Sequence, residues 1–278
     1  MTLEDLPFAN WLRGEVGWNQ TLEDWKRFLE MEPEGCFVAQ WCGTPVGTAT
    51  TVTYGRELAW IGMVLVHPEY RRRGIARTLL NSCIEYLRHR EVRCIKLDAT
   101  PQGRPVYLGL GFKDEWTLSR WERQVANPAP AAPAPKLAGR QEFDASRTAD
   151  CDLAAFGVSR QQLLRALSLQ SREAIMFANM SGRVTGFGLL RNGSRALYLG
   201  PVVAQTHEVG TRLIEALVGH THSERVFWDI PEDNSAAVSW ARQHGFAIQR
   251  TLTRMCLGEN LTPGDPQKQF GLAGPEMG

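Results

Sequence analysis

The chain has 278 residues, of which 43% are hydrophobic and 22% charged, and 31 Lys and Arg against 30 Asp and Glu give a formal net charge of +1 at pH 7. This balance is typical of a folded globular protein rather than of a disordered or membrane-embedded one. The small net charge also excludes a global basic field that would draw the chain onto nucleic acid or an anionic membrane.

Helices and strands alternate from the start of the chain. "TLEDL" and "TLEDW" each place a threonine three residues before an acidic residue, which predicts two capped helices. The second helix carries apolar residues at helical spacing from Leu22 to Leu29 and should bury them. "CFVAQW" and "VGTATTVTY" flank the turn at Gly43-Thr44-Pro45 and predict a hairpin. The next run, "LAWIGMVLV", is apolar on both faces, which predicts a central strand.

A long amphipathic helix is predicted after this strand. Its apolar residues follow one another from Ala76 to Leu87 at positions i, i+3, i+4, i+7, i+8 and i+11. The strand "VRCIKLDAT", a short helix that carries Tyr107 and the strand "EWTLSRWERQV" then complete the first half.

The segment "ANPAPAAPAPK", Ala126 to Lys136, has proline at every second or third position and predicts an extended linker. The same order of elements returns after it, from "SRQQLLRALSL" to "IQRTLTRMCL". Because the length also exceeds that of one ordinary domain, we predict a duplicated unit of the α/β (α+β mixed-sheet) class. The predicted parts are a first domain at 1–125, a linker at 126–142, a second domain at 143–258 and a loosely held Gly/Pro-rich tail at 259–278 that Phe270 and Leu272 could pin.

Cysteine use and the N-terminal sequence predict a cytoplasmic protein. The six cysteines form no CxxC pair and several lie in apolar runs, so we expect reduced core thiols; they are Cys36, Cys42, Cys83, Cys94, Cys151 and Cys256. The N-terminus has no signal-peptide pattern, and the apolar run near Ile61 to Val66 is too short to span a bilayer.

The stretch "VHPEYRRRGIARTLL", Val66 to Leu80, carries the strongest chemical signal. A strand that leads through a glycine loop into a helix exposes the first N–H groups of that helix, which favour an anion. The glycine lets the backbone approach a phosphate, and the arginines add charge at the rim. A solvated basic helix start is the alternative, whereas nucleic-acid binding lacks the base-stacking aromatic residues it needs.

"VHPEYRRRGIA" fits V-x-P-x-x-[RQ]-x-x-G-x-[GA] and resembles the acyl-coenzyme A loop of the GNAT N-acetyltransferases. The resemblance implies two tandem GNAT-like domains, each a central mixed β-sheet flanked by helices, and acetyl-CoA as the cofactor. It implies that the strand backbone contacts the pantetheine arm and thioester and that the loop holds the pyrophosphate. The residues concerned are Val64, Leu65, Val66, Arg71, Arg72, Arg73, Gly74, Ile75 and Ala76.

"YLGLGF", Tyr107 to Phe112, resembles the Y-x-x-x-G-F of the same family, which implies that the Tyr107 hydroxyl protonates the leaving thiolate. A core tyrosine ahead of a C-cap glycine is the alternative. The family's usual strand glutamate is missing from "LAWIGMVLV". Glu57, His67 and Asp98 remain nearby in sequence, and we expect a base that acts through water.

In the second half, "NSAAVSWARQHGF" resembles the family's N-x-x-A-x-x-x-Y-x-x-x-G-F helix, but Ala241 stands at the tyrosine position. Its loop lacks R-x-x-G-x-A and puts Glu208 where phosphates would lie, whereas the first half has Thr100 in place of the motif's asparagine. We therefore expect a catalytic first domain and a degenerate second one. His220 and His222 have no ligand cluster at metal spacing, so we expect no metal.

The predicted activity is transfer of an acetyl group from acetyl-CoA to a primary amine, of a small molecule rather than a protein, in a ternary complex. Candidate acceptor-site residues are Glu15, Trp18, Asp98 and Asp229. A non-catalytic acyl-CoA sensor and a peptide-amine acetyltransferase stay open, and the chain is expected to be a monomer or homodimer without nucleic-acid or membrane partners. The family fold opens with a strand, but this chain starts at a helix cap, so either the natural start lies upstream or another segment fills that sheet edge.

Overall fold

The computed structural model describes residues 1–124, 139–219, 221 and 224–278, so most of the predicted linker lies outside the described residues. The chain divides into two compact units. The first comprises Met1–Glu115, Arg254–Leu261 and Pro275–Gly278, and the second comprises Trp116–Thr253 and Thr262–Gly274. The units are thus not the contiguous stretches that the sequence suggests, because each takes residues from both halves of the chain.

The helices and strands follow the predicted alternation. The α-helices are α1 (Leu6–Glu15), α2 (Leu22–Met31), α3 (Ile75–His89), α4 (Arg104–Leu108), α5 (Ala149–Phe156), α6 (Gln161–Leu169), α7 (His207–Val218) and α8 (Ser235–Gln243). The strands are β1 (Cys36–Trp41), β2 (Thr44–Tyr54), β3 (Leu58–Val66), β4 (Cys94–Ala99), β5 (Lys113–Arg123), β6 (Arg140–Glu142), β7 (Ser171–Ala178), β8 (Val184–Arg191), β9 (Leu197–Ala204), β10 (Val226–Pro231), β11 (Ala247–Gly258) and β12 (Gln269–Gly271).

In the first unit the strand order is β1-β2-β3-β4, with the end of β11 next to β4. β1, β2 and β3 are antiparallel, and β3 and β4 are parallel. β3 is central, as its two apolar faces predict. Its Ala59 and Ile61 pack into one core with Leu79, Cys83 and other residues of α3, which confirms the amphipathic helix.

Local sequence signals account for the helix starts. The Thr21 hydroxyl accepts from the Asp24 N–H at 3.3 Å, and the Asp24 carboxylate accepts from the Thr21 N–H at 2.7 Å, which confirms the predicted capping box of α2. Trp25 and Phe28 are buried as expected. Leu22 is 40% exposed, so the prediction that it is buried was wrong: it is the first residue of the helix.

In the second unit the order is β5-β10-β9-β8-β7-β6, with the first part of β11 next to β5 and with β12 paired to β9. β9 and β10 are parallel, whereas β5–β10, β9–β12, β6–β7, β7–β8 and β8–β9 are antiparallel, so this sheet is also mixed. β6 lies within the stretch predicted as the end of the linker. Among the described residues no strand precedes α1, and β1 lies at the edge of the first unit's sheet.

Residues 269–278 are almost all buried, so the expectation of a loosely held tail was wrong for them, and the pinning by Phe270 and Leu272 is confirmed; residues 259–268 are exposed or half-buried. Phe270, Leu272 and Ala273 in the second unit and Met277 in the first are fully buried or nearly so. Composition misled here, because a few apolar residues among many Gly and Pro suffice to anchor an irregular segment when its backbone finds partners. The expectation that the cysteines are core thiols was wrong for Cys42, which is exposed in a turn.

Candidate functional site

The strongest motif forms a strand, a loop and a helix start. After β3, a short 3₁₀ turn leads through Arg72 and Gly74, both in the left-handed region at φ 62° and 82°, into α3 at Ile75. The helix has no side-chain N-cap, so its first N–H groups have no intrahelical partner. A Cβ on Gly74 would meet no atom within 4 Å, which leaves open space in front of these donors. The loop is therefore shaped to receive an anion.

The three loop arginines are exposed and differently held. Arg71 donates from Nε to the Val66 carbonyl at 3.2 Å. Arg73 donates to the Glu69 carbonyl at 3.3 Å, and its guanidinium lies over the rings of Tyr70 and Trp41, 5.2 and 5.5 Å from their centroids. The two rings hold the exposed Arg73 charge beside the loop.

β3 separates from β4 just before this loop. The parallel pairing joins Leu58, Ala59 and Trp60 to Cys94, Ile95 and Lys96 and ends there. On the other edge of β3 the register with β2 shifts opposite this point, and Met63 has φ 51°, which marks a bulge. The β4-facing edge of Val64 and Leu65 therefore borders a gap between two parallel strands, where the backbone can contact an extended ligand.

Tyr107 lies on α4 and is half-buried against the core under α3. Burial, and secondarily the nearby Cys83 thiol, raises the pKa of Tyr107 to about 12. The hydroxyl is therefore protonated at neutral pH, as a proton donor must be. Ahead of α4, the Thr100 hydroxyl accepts from the Gly103 N–H at 3.1 Å, so this threonine makes the local turn contact at the motif's asparagine position.

Two of the predicted acceptor-site carboxylates lie in ion pairs. The Asp98 carboxylate accepts from Nε and Nη2 of Arg254 at 2.8 and 2.9 Å, and the Asp98 side chain has no exposed surface. In the second unit the Asp229 carboxylate accepts from Arg120 at 2.8 and 2.5 Å and from the Tyr198 hydroxyl at 2.8 Å. Burial alone would raise the pKa of Asp229, but the pairing with Arg120 and the other neighbouring groups outweighs burial, so the pKa is lowered overall. This geometry argues for structural roles and against contact of either aspartate with an acceptor ammonium.

The loop between α1 and α2 holds the other two candidates. Glu15 is exposed at the end of α1, and Trp18 is half-buried with its carbonyl accepting from Arg13 at 3.2 Å. The loop also contains Gln20, which is buried and donates from Nε2 to Glu276 Oε2 at 2.8 Å. No sequence pattern singled out Glu276, because the two positions are at opposite ends of the chain.

The remaining candidates for a base are Glu57 and His67. Glu57 is exposed in the turn before β3. The His67 ring stacks on Trp11 at 5.3 Å, and its Nδ1 accepts from the Glu69 N–H at 3.3 Å.

The corresponding gap in the second unit is filled by the chain itself. β9 and β10 pair only from Leu197–Leu199 to Val226–Trp228. Beyond that point β12 pairs with β9, the Trp228 indole donates to the Phe270 carbonyl at 2.8 Å, and the Leu272 N–H donates to the Asp229 carbonyl at 3.0 Å. The Phe270 ring lies against Gly210 in the first turns of α7.

The second unit's motif residues support this arrangement. Asn234 caps α8 by accepting from the Ala237 N–H at 3.0 Å and donates to the Gln267 and Gln269 carbonyls. Ala241, at the position of the motif's tyrosine, is fully buried, and Glu208 lies in the first turn of α7.

Within the described part of the chain, no group of three or more His, Cys, Asp or Glu residues could hold a metal ion. His220 and His222 lie outside the described residues. None of the described helices is long and apolar enough to cross a membrane.

Two family models match the chain. Residues 6–112 match the "Acetyltransferase (GNAT) family", and residues 148–271 match the "Acetyltransferase (GNAT) domain". The uncharacterised N-acetyltransferase YitH of Bacillus subtilis is 29% identical over 236 residues, 84% of this chain and 82% of that protein. A holothin acyltransferase of a Pseudoalteromonas species is 26% identical over 283 residues, covering 100% of this chain and 92% of that one.

Solved structures show the same architecture over the whole chain. A Pyrococcus horikoshii chain assigned to the acetyltransferases is 26% identical with a TM-score of 0.82, covering 100% of this chain and 94% of its own length. A tandem GNAT protein from the clavulanic acid biosynthesis pathway is 18% identical with a TM-score of 0.62 over 92% of this chain and 95% of its own, which shows the fold. With one family model on each half of the chain, this protein belongs to the GNAT acetyltransferases as a tandem member, and it is an acyltransferase.

Proposed function

We propose that the first unit transfers the acetyl group of acetyl-CoA to a primary amine of a small molecule, directly within a ternary complex. The observation that carries this proposal is the loop at Gly74, where a left-handed glycine with open space in front of it precedes an uncapped helix start. The holothin acyltransferase, which matches this chain over 92% of its own length, supports an acceptor that is a discrete compound.

The residues present fit the coenzyme. Its pyrophosphate would meet the N–H groups from Gly74 to Ala76, with Arg71, Arg72 and Arg73 around them. Its pantetheine arm would lie along the edge of β3 from Val64 to Val66, where the pairing with β4 has ended. Acetyl-CoA supplies the activated acyl group as a thioester.

The reaction makes three demands on the chain's residues: stabilising the oxyanion, protonating the leaving thiolate and deprotonating the acceptor ammonium. A backbone N–H of Val64 or Leu65 stabilises the developing oxyanion. Tyr107 donates a proton to the departing thiolate and is protonated at any physiological pH because of its raised pKa. The acceptor needs a base, because an alkyl ammonium with a pKa of about 10.4 is neutral only about once in 2,500 molecules at pH 7.

The second unit is proposed to bind no coenzyme. β12 and Phe270 occupy the gap between β9 and β10 and the space at the start of α7. A pantetheine arm would have to displace a strand that pairs with β9 and accepts the Trp228 indole hydrogen bond. We therefore expect one coenzyme per chain.

Isothermal titration with acetyl-CoA tests the proposal, with Gly74→Glu as the disabling variant and Gly182→Glu as its matched control. Gly182 has φ 80° and, like Gly74, no atom within 4 Å of a Cβ, so both variants add the same side chain and similar backbone strain. We expect one site in the wild type and in Gly182→Glu and none in Gly74→Glu, because its carboxylate opposes the pyrophosphate. Equal affinity in all three proteins would refute the loop assignment.

A thiol-release assay with small amines and with peptide N-termini then tests the acceptor class. Turnover of small amines with little of peptides is expected. Coenzyme binding without turnover of any amine would favour the non-catalytic sensor.

A further inference from the structure

We propose that Glu276 is the base that removes the proton from the acceptor ammonium in the first unit; this inference rests on the proposed function. The segment Pro275–Gly278 belongs to the first unit, and its Glu276 lies against Gly62, next to the place where β3 leaves β4. β3 itself has no acidic residue between Leu58 and Val66.

The main chain of Glu276 lies directly on β3 at Gly62. A Cβ on Gly62 would come within 2.6 Å of the Glu276 carbonyl oxygen and 2.7 Å of its Cα and Cβ, so only glycine admits the segment there. Gly62 is two residues beyond Trp60, the last residue of β3 that pairs with β4. The Glu276 side chain therefore begins beside the gap that we assign to the thioester.

Glu276 lies on the face of the sheet opposite α3, and we assign the approach of the acceptor to that face. Ala59 and Ile61 point into the core with α3, so by the alternation of a strand Trp60 and Gly62 face the opposite side. On that side the Glu276 carboxylate accepts from Gln20 in the loop between α1 and α2. The coenzyme loop and Tyr107 belong to the α3 face, so acceptor and coenzyme would meet from the two faces of the sheet.

Glu276 is held in place on both sides. The Trp60 indole donates to the carbonyl of Pro275 at 3.0 Å, and the Tyr54 hydroxyl donates to the carbonyl of Met277 at 2.7 Å. Glu276 itself is 5% exposed. A pinned backbone and a buried side chain give the fixed geometry that proton transfer requires.

The other acidic groups nearby are less suited to this step. Both carboxylate oxygens of Asp98 accept from Arg254, whose guanidinium lies 4.3 Å from the Trp60 ring centroid. Glu15 and Glu57 are exposed at a helix end and in a turn.

The carboxylate of Glu276 takes one proton from R–NH₃⁺, and the neutral amine attacks the thioester carbon to form the C–N bond. The C–S bond breaks as the intermediate collapses, and the thiolate takes the proton of Tyr107. The tyrosinate takes the surplus proton from the amide nitrogen, and Glu276 later releases its proton to water. The products are the amide, free coenzyme A and one proton.

The test compares Glu276→Gln with the wild type and with Glu259→Gln, a control that removes the same charge from an exposed position of the first unit. Acetyl-CoA with n-butylamine is the probe, and loss of the thioester is followed from pH 6 to pH 10. We expect kcat to fall about 100-fold or more in Glu276→Gln and coenzyme affinity to stay within twofold. The kcat/KM of this variant should rise about tenfold per pH unit towards the pKa of the amine, because only the neutral amine can then react. Glu259→Gln should behave as the wild type.

A Glu276→Gln variant with wild-type kcat and an unchanged pH profile would overturn the inference and leave the proposed function intact. A raised KM with unchanged kcat would also overturn it, because it would make Glu276 a binding group only. A wild-type chain that binds acetyl-CoA but transfers nothing to n-butylamine or to any other amine tested would overturn the proposed function and this inference with it. Glu276→Asp keeps the charge and shortens the side chain, so a partial recovery of rate with the wild-type pH profile restored would support proton transfer over a role in folding.

Discussion

Replacing Arg254 by leucine should strongly destabilise the first unit. The guanidinium pairs in two hydrogen bonds with Asp98, whose side chain has no exposed surface, and it also lies over the Trp60 ring. Leucine fills part of the volume but leaves the carboxylate buried without this cation. Breaking one partner out of a buried pair typically costs about 3–5 kcal/mol, because the remaining charge is left uncompensated.

An exposed ion pair offers the matched control. Arg172 and Glu224 form a pair whose side chains are 45% and 36% exposed, so Arg172→Leu should lower the free energy of unfolding by about 0–1 kcal/mol. Urea unfolding followed by tryptophan fluorescence measures both variants. With a slope of about 3 kcal/mol per molar urea, Arg254→Leu should lower the midpoint by about 1 M or more.

A second substitution separates the charge from the packing. Asp98→Asn in the Arg254→Leu background removes the buried charge and should recover part of the lost stability. A midpoint shift for Arg254→Leu no larger than that for Arg172→Leu would refute the reasoning, since it would mean that the buried Asp98 charge does not depend on Arg254.

Four further predictions concern the site and the packed tail. Tyr107→Phe should lower kcat about 100-fold without changing acetyl-CoA affinity. The wild-type kcat/KM should show no alkaline fall from Tyr107 below pH 10. The reason is that burial raises the pKa of Tyr107 to about 12 and that its protonated form is the active one. Ala241→Tyr should not add a second coenzyme site; titration that gives two sites in either protein would contradict the filled gap. Phe270→Ala should lower the free energy of unfolding by about 3–5 kcal/mol, measured by urea unfolding, because the ring is 1% exposed. Thr21→Ala should lower it by about 1 kcal/mol through loss of the α2 cap, and an unchanged midpoint would show that this cap is dispensable.

Contiguous patterns in the sequence were sufficient for the fold class and for the geometry of the loop at Gly74. The central strand β3, the left-handed glycine and the amphipathic α3 follow one another within one stretch, so periodicity and loop chemistry could locate all three. The cap at Thr21 is similarly local. Each of these features depends on residues within a few positions of one another, which is the range over which sequence patterns carry information.

The features that sequence reasoning missed all depend on distant positions. Asp98 looked like a candidate for the acceptor site because nothing near it in sequence reveals Arg254. Glu276 lies in a Gly- and Pro-rich stretch with no helical or strand periodicity, and its contacts with Gly62 and Gln20 join opposite ends of the chain. Composition described the tail correctly as irregular, but irregular segments can be as firmly packed as strands when partners exist for their backbone groups.

The exchange of strands between the halves sets an order of events during synthesis. Residues 254–261 and 275–278 belong to the same compact unit as residues 1–115. A growing chain that has released its first 125 residues from the ribosome therefore lacks the strand end beside β4, the Arg254 partner of Asp98 and the segment over Gly62. The first unit must wait for nearly the whole chain, which makes its folding non-local and slow compared with that of a domain made from consecutive residues. A nascent chain that stops early would expose unfinished sheet edges, so this protein should depend on chaperones more than its size suggests.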